Sequence, residues 1–127
     1  MFDNLDVFRM SAAMARHAGS RQAVVSQNVA NADTPGYVAR DLPDFATSYT
    51  APDGAAGQRA TRAGHLHGTR PGQPPAAVEV QGTGKPNGNR VAIETELLNG
   101  VEAKRQHDRA LAIYRSALSV LRSTIST

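Results

Sequence analysis

Apolar residues recur three or four positions apart over two long stretches of the chain, one at each end. Between Asp3 and about Ala32 they fall at Val7, Met10, Met14, Ala18, Val25, Val29 and Ala32, with Leu5 and Phe8 alongside. This spacing marks one face of a helix. Arg9, Arg16 and Arg21 lie largely off that stripe, while small residues from Ser11 to Ser20 crowd its middle and let another helix approach closely. Gly19 interrupts the run at a cost of about 1 kcal/mol relative to alanine. A helix of roughly 28 residues, rising ~1.5 Å per residue, makes a rod about 40 Å long. From about Ala92 to Ser126 the helical spacing returns. Leu97 and Val101 open this second stripe, and Leu111, Tyr114, Leu118, Leu121 and Ile125 continue it. Lys104 and Asp108 stand where the stripe should be apolar and Gly100 weakens it further, so its middle reads as broken.

Between Pro35 and about Asn89 the periodicity dissolves. The stretch "TAPDGAAGQRATRAGHLHGTRPGQPPAA" offers almost nothing to bury, and a long run of this kind reads as extended and irregular. Two local signals stand out. "AVEVQ" at Ala77–Gln81 alternates like a short strand, and "PNGN" at Pro86–Asn89 supplies a tight turn through Asn-Gly. The expected architecture is all-α, with an N-terminal axial helix over 1–33, a turn motif and extended middle over 34–91, and a C-terminal axial helix over 92–127. The two terminal helices pack side by side in a coiled-coil-like core, with a short β element between them. Each has one apolar stripe and only the other helix to bury it against, so the leftover small-residue faces are expected to contact neighbouring molecules.

Composition supports a thin core. The 127 residues include three Phe, three Tyr and no Trp, and large side chains dominate core energetics. The chain is therefore expected to be elongated or to complete its core with other chains. As an isolated monomer it should be largely unfolded. Net charge is +3 with a pI near 9.8, but the basic residues are spread over all three segments, which reads as an ordinary solvated surface rather than a nucleic-acid footprint. Arg105, Arg109 and Arg115 are the only candidates for a basic helix face. There is no cysteine, which excludes disulfide and thiolate chemistry. The N-terminus lacks the basic start and continuous apolar core of a secretory signal, and no run approaches the ~18 apolar residues of a membrane span.

Candidate chemistry is sparse. His65 and His67 form an H-x-H pair with no third ligand suggested nearby, and His17 and His107 stand alone. "GTGKP" at Gly82–Pro86 fails as a phosphate loop: Glu79 occupies the position of its first glycine, and Pro86 that of the hydroxyl residue. No nucleophile motif surrounds any serine. The chain is read as a non-enzyme with no catalytic residue, no metal and no cofactor.

What the sequence specifies most heavily is the end of the first helix. Asn28 and Asn31 are followed by Asp33, Thr34, Pro35, Gly36 and Tyr37. Proline and glycine occupy the central positions of a type II turn, proline fixing φ near −65° and glycine taking the positive φ that follows. Proline also disfavours helix at Thr34, and Asn31 and Asp33 can bond backbone groups left open at the helix end. The expected result is a fixed exit angle with Tyr37 as the first anchoring side chain.

"NVANADTPGYVARD" (Asn28–Asp41) resembles the N-terminal signature of bacterial flagellar axial proteins. Its extension "ANADTPGYVARDLPDF" (Ala30–Phe45) is similar to the basal-body rod family, at the proximal end of the rod. "NGNRVAIETELLNGVEAKRQHDRALAIYRSALSVLRSTI" (Asn87–Ile125) resembles that family's terminal helix, and "ATRAGHLHGTRP" (Ala60–Pro71) its middle segment. Pro43 departs from the family's pattern, as does Ala92, which stands where an acidic cap is common and leaves Thr95 as a later candidate cap. The resemblance implies a structural subunit of the flagellar basal body. It would be exported by the flagellar type III apparatus and would polymerise in the periplasm into the torque-transmitting proximal rod. Its implied partners are copies of itself, other rod subunits and the adaptor between the export gate and the membrane ring at the rod base, with no nucleic acid and no direct membrane insertion. Readings from other classes are a small basic helical nucleic-acid-binding protein and a type III export adaptor or chaperone.

Overall fold

The computed structural model describes residues 2–49, 62 and 74–125. Two long helices dominate it: α1, Phe2–Ala30, and α3, Ile93–Ile125. Between them lie β1 (Arg40–Asp41), the single-turn helix α2 (Phe45–Ser48) and β2 (Val78–Glu79). Most of the stretch between 50 and 73, with His65 and His67 in it, lies outside the described residues, so the expectation of an irregular segment there is left at that.

The two long helices run antiparallel, because contacts that ascend α1 descend α3. The rings of Phe8 and Tyr114 meet edge to face at 5.1 Å, Arg21 reaches Glu102, and Asn28 meets Glu96. The fold is thus the side-by-side helical pair expected, and among the described residues between the helices is a two-residue ladder in which Arg40 pairs with Glu79 and Asp41 with Val78.

The seam between the helices is not the line of largest apolar side chains. On α1 the inward positions include Ser11, Ala18, Val25 and Asn28, all buried, as is Ala32 just beyond its end. With Val7, Met14 and Arg21 they fall in alternating steps of four and three, the register of a left-handed coiled coil. On α3 the buried line is Glu96, Ala103 and Ala110, seven residues apart. Alanine and serine let the backbones approach, and bulky residues flank the contact.

This revises the expected stripes. Ala18 and Val25 are buried and Val7 and Met14 half-buried, whereas Met10 and Val29 turn toward solvent. On α3, Leu111, Leu118 and Leu121 are half-buried and Tyr114, packed on Phe8, is 38% exposed. Leu97, Val101 and Ile125 are 60%, 58% and 81% exposed. The small-residue faces serve the intramolecular seam, and Leu97, Val101 and Ile125 are left for solvent or a neighbour. Lys104 and Asp108 do not break the seam, since both are exposed and pair with each other at 3.1 Å.

Helix α3 begins at Ile93, with the Glu96 N–H donating to the Ala92 carbonyl at 3.0 Å. Ala92 therefore occupies the cap position without a capping side chain, and Thr95 lies inside the first turn rather than capping it. Glu94 and Glu96 supply negative charge where the helix dipole favours it. No helix among the described residues is long and apolar enough to cross a membrane.

Candidate assembly site

The last turn of α1 exposes carbonyls that no helical N–H can reach, and the sequence supplies donors for them one by one. The Asn31 N–H is shared between the carbonyls of Gln27 and Asn28, at 3.2 Å each. The Asn31 side-chain amide returns to the Gln27 carbonyl at 2.8 Å. Lys85 Nζ approaches the Ala32 carbonyl at 3.4 Å. The chain then turns. Thr34 accepts from the Tyr37 N–H at 3.3 Å and Gly36 has φ +73°, the type II geometry that Pro35 and Gly36 prescribe. Asp33 is exposed and makes no side-chain hydrogen bond among the described residues, so it is not one of the bonds that hold the exit.

The turn does not stand free. A second turn, Lys85–Gly88, docks on it. Gly88 donates to the Lys85 carbonyl at 2.9 Å and has φ +80°. Asn87 does not enter the positive-φ region, so this is a type I-like turn closed by a left-handed glycine rather than the mirror-image turn that Asn-Gly often forms. The Gly36 N–H donates across to the Asn87 carbonyl at 3.2 Å, and a Cβ on Gly88 would sit 3.4 Å from the Gly36 Cα.

Two buried asparagines lock the arrangement. The Asn89 side-chain amide donates to the carbonyls of Asn31 at 3.0 Å and Thr34 at 2.8 Å, and its oxygen accepts from the Val91 N–H at 2.9 Å. A residue from just before α3 thereby caps the end of α1. Asn28 pairs with the backbone of Arg40 as a strand would: its amide donates to the Arg40 carbonyl at 2.7 Å, and its oxygen accepts from the Arg40 N–H at 3.1 Å. The same amide donates to Glu96 Oε2 at 3.0 Å, and the same oxygen accepts from the Tyr37 hydroxyl at 3.3 Å. One side chain thus joins α1, the exit strand and α3. Beneath it Ala32, Ala39 and Val91 form the buried cluster on which Tyr37 packs.

Further along the exit, Arg21 holds Asp41 through two hydrogen bonds of 2.9 Å. This contact to the Asp41 carboxylate raises the guanidinium's pKa still further, so Arg21 stays charged. Buried His17 meets the Pro43 carbonyl at 2.8 Å and the Phe45 ring edge-on, so Pro43 is used here as part of the anchoring of the exit.

Sequence reading singled out Asn28, Asn31, Asp33, Thr34, Pro35, Gly36 and Tyr37, and the structure brings all but the exposed Asp33 into the bonded exit. It missed Asn89, Glu96, Val91 and the Arg21–Asp41 pair. None of these carried a local signal of its role: Arg21 stood off the apolar stripe, and its partner Asp41 lies 20 positions further on.

The helical hairpin thus combines a densely bonded exit from α1 with large apolar residues, among them Leu97 and Val101, left uncovered on its flank. Residues 8–37 match the family described as "Flagella basal body rod protein". It is 26% identical over 130 residues to the flagellar basal body rod protein FlgB of Agrobacterium fabrum (strain C58 / ATCC 33970), an alignment covering 95% of this chain and 93% of that one.

Proposed function

We propose that this chain is a structural subunit of the bacterial flagellar rod. It polymerises at the proximal end of the rod, with copies of itself and with other rod subunits, into the shaft that carries torque across the periplasm. The observation that carries this reading is the locked exit from α1. In a helical polymer every subunit must leave its axial helix at one angle, because an angular error repeats along the lattice. Asn28 and Asn89, with the paired turns at Gly36 and Gly88, hold that angle by bonds from both ends of the chain. The matched family segment, 8–37, covers the greater part of α1 and the turn itself.

Export through the flagellar type III apparatus and a seat on the adaptor at the rod base belong to the same proposal. A slender hairpin seamed by alanine and serine has little core to dismantle before passing a narrow channel. The family match favours this reading over a nucleic-acid-binding hairpin or an export chaperone. The test is location: basal bodies purified from cells expressing the tagged chain should contain it. Its recovery only in the soluble fraction would overturn the proposal.

A further inference from the structure

Between the C-terminal half of α1 and the N-terminal half of α3 runs an open groove of about 860 Å³, lined mainly by apolar atoms. Val25 and Val29 form one wall, Leu97 and Val101 the other, and Glu96 and His107 lie toward its two ends. Leu97 and Val101 are exposed, and an uncovered apolar surface of this kind marks a contact site. Gln22, Ser26, Lys104 and His107 also line the groove, Lys104 being paired with Asp108, and Glu96 is its acidic residue. Its carboxylate receives the Asn28 amide and has no cation within ion-pair distance among the described residues, so an occupant bearing a positive charge would complete it. Along α3 the groove extends from Glu96 to His107, about 16 Å at the helical rise, room for two turns of another helix.

At the opposite end of α3 the chain carries a segment with matching chemistry. Leu118, Leu121 and Ile125 share one helical face, and Arg122 lies on the same face. Ile125 is among the most exposed large apolar residues described, and Leu118–Ile125 contains one basic residue and no acidic one. Arg122 has no ion-pair partner among the described residues.

Resting on the rod-subunit reading, we propose that the groove seats the last two turns of α3 from a second copy of this chain. Ile125 and Leu121 lie against Val101 and Leu97, and Arg122 stands beside Glu96. The two patches differ, so the contact is head to tail. A heterologous contact that does not close on itself propagates into a filament rather than a ring or a symmetric dimer. Within one chain the patches cannot meet, because Val101 and Ile125 lie on one continuous helix, about 36 Å apart at its rise.

The chain contains no cysteine, so pairs of introduced cysteines report the contact directly. The full-length variant Val101→Cys/Ile125→Cys, expressed in cells and recovered in basal bodies, should give a ladder of oligomers on mild oxidation and non-reducing electrophoresis. Coexpressed single variants should give one mixed dimer. Arg109→Cys/Ile125→Cys should give no ladder. Leu97→Cys replaces Val101→Cys if the latter is poorly incorporated. Arg122→Glu should lower incorporation at least tenfold while Arg122→Lys retains it. Variants present in basal bodies without a ladder, or an equal ladder from the Arg109 control, would overturn the contact and leave the rod assignment standing. Absence of the unaltered chain from basal bodies would remove the rod assignment, and this contact with it.

Discussion

Replacing Asn28 by alanine removes the one side chain that bonds α1, the exit strand and the start of α3 together. Four hydrogen bonds end at it: two with the Arg40 backbone at 2.7 and 3.1 Å, one to Glu96 at 3.0 Å and one from Tyr37 at 3.3 Å. A neutral bond contributes about 1 kcal/mol net, and one to a charged group about 1.5–3 kcal/mol. The Arg40 groups can recover water, whereas Glu96 is buried. We therefore expect a loss of about 3–4 kcal/mol, less than the naive sum. Ordinary domains total about 5–15 kcal/mol, and an isolated chain with so thin a core has less, so a loss of this size exceeds the stability it has without an osmolyte. Asn28→Asp should be worse than alanine near neutral pH. It places a carboxylate within hydrogen-bond distance of Glu96 and takes the donor from the Arg40 carbonyl. Adding Glu96→Gln should recover part of the loss by removing the like charge. The assay is urea unfolding of the full chain followed by far-UV circular dichroism, with an excluded osmolyte such as TMAO to hold a marginal fold. An Asn28→Ala variant within 1 kcal/mol of the parent, or an Asn28→Asp variant no worse than alanine, would refute the claim that this side chain ties the three elements together.

Gly36→Val tests the exit turn: φ is +73° with open space where the new Cβ would go, so the cost of about 1–3 kcal/mol is backbone strain alone. The variant should be exported yet fail to build rods, with Pro35→Ala only partly impaired, and normal rods in Gly36→Val would reduce the motif to a helix terminator. Arg21→Ala should lose about 1–3 kcal/mol by stripping the paired hydrogen bonds from Asp41, and Arg21→Lys should recover little because one ammonium cannot match the guanidinium fork; unfolding midpoints of the two variants decide this. Ala103→Leu, at a fully buried seam position, should destabilise the hairpin by about 1–3 kcal/mol, whereas Leu97→Ser should leave the unfolding midpoint nearly unchanged and lower incorporation into basal bodies. Leu121→Asp should impair assembly more than Ser119→Asp, scored by motility with export measured separately, and equal effects would remove Leu121 from the contact face.

The sequence by itself determined the two long helices, their mutual packing and the exit turn. Helical periodicity needs only neighbours three and four residues apart, and Pro35-Gly36 dictates backbone angles wherever it stands. A thin core was equally legible, because residue volumes are read directly from composition. Which face of each helix turned inward was decided by tertiary structure. Counting large apolar residues pointed to Leu97, Val101 and Ile125, but two helices pressed together select side chains that permit close approach. Ala103 and Ala110 therefore took the seam opposite α1, where the spacing had already placed Ala18, and Leu97 was left outside while Leu111, Leu118 and Leu121 are half-buried. The second lock was equally hidden. Nothing local to Asn89 distinguishes it from any loop asparagine, and its role arises only when a turn 58 positions away in sequence is brought within 3.0 Å of the Asn31 carbonyl. The same holds for the contact of Arg21 with Asp41, 20 positions on, and for that of Asn28 with Glu96, 68 positions away. A hydrogen bond between distant segments has no periodicity to betray it, and only the fold decides who meets whom.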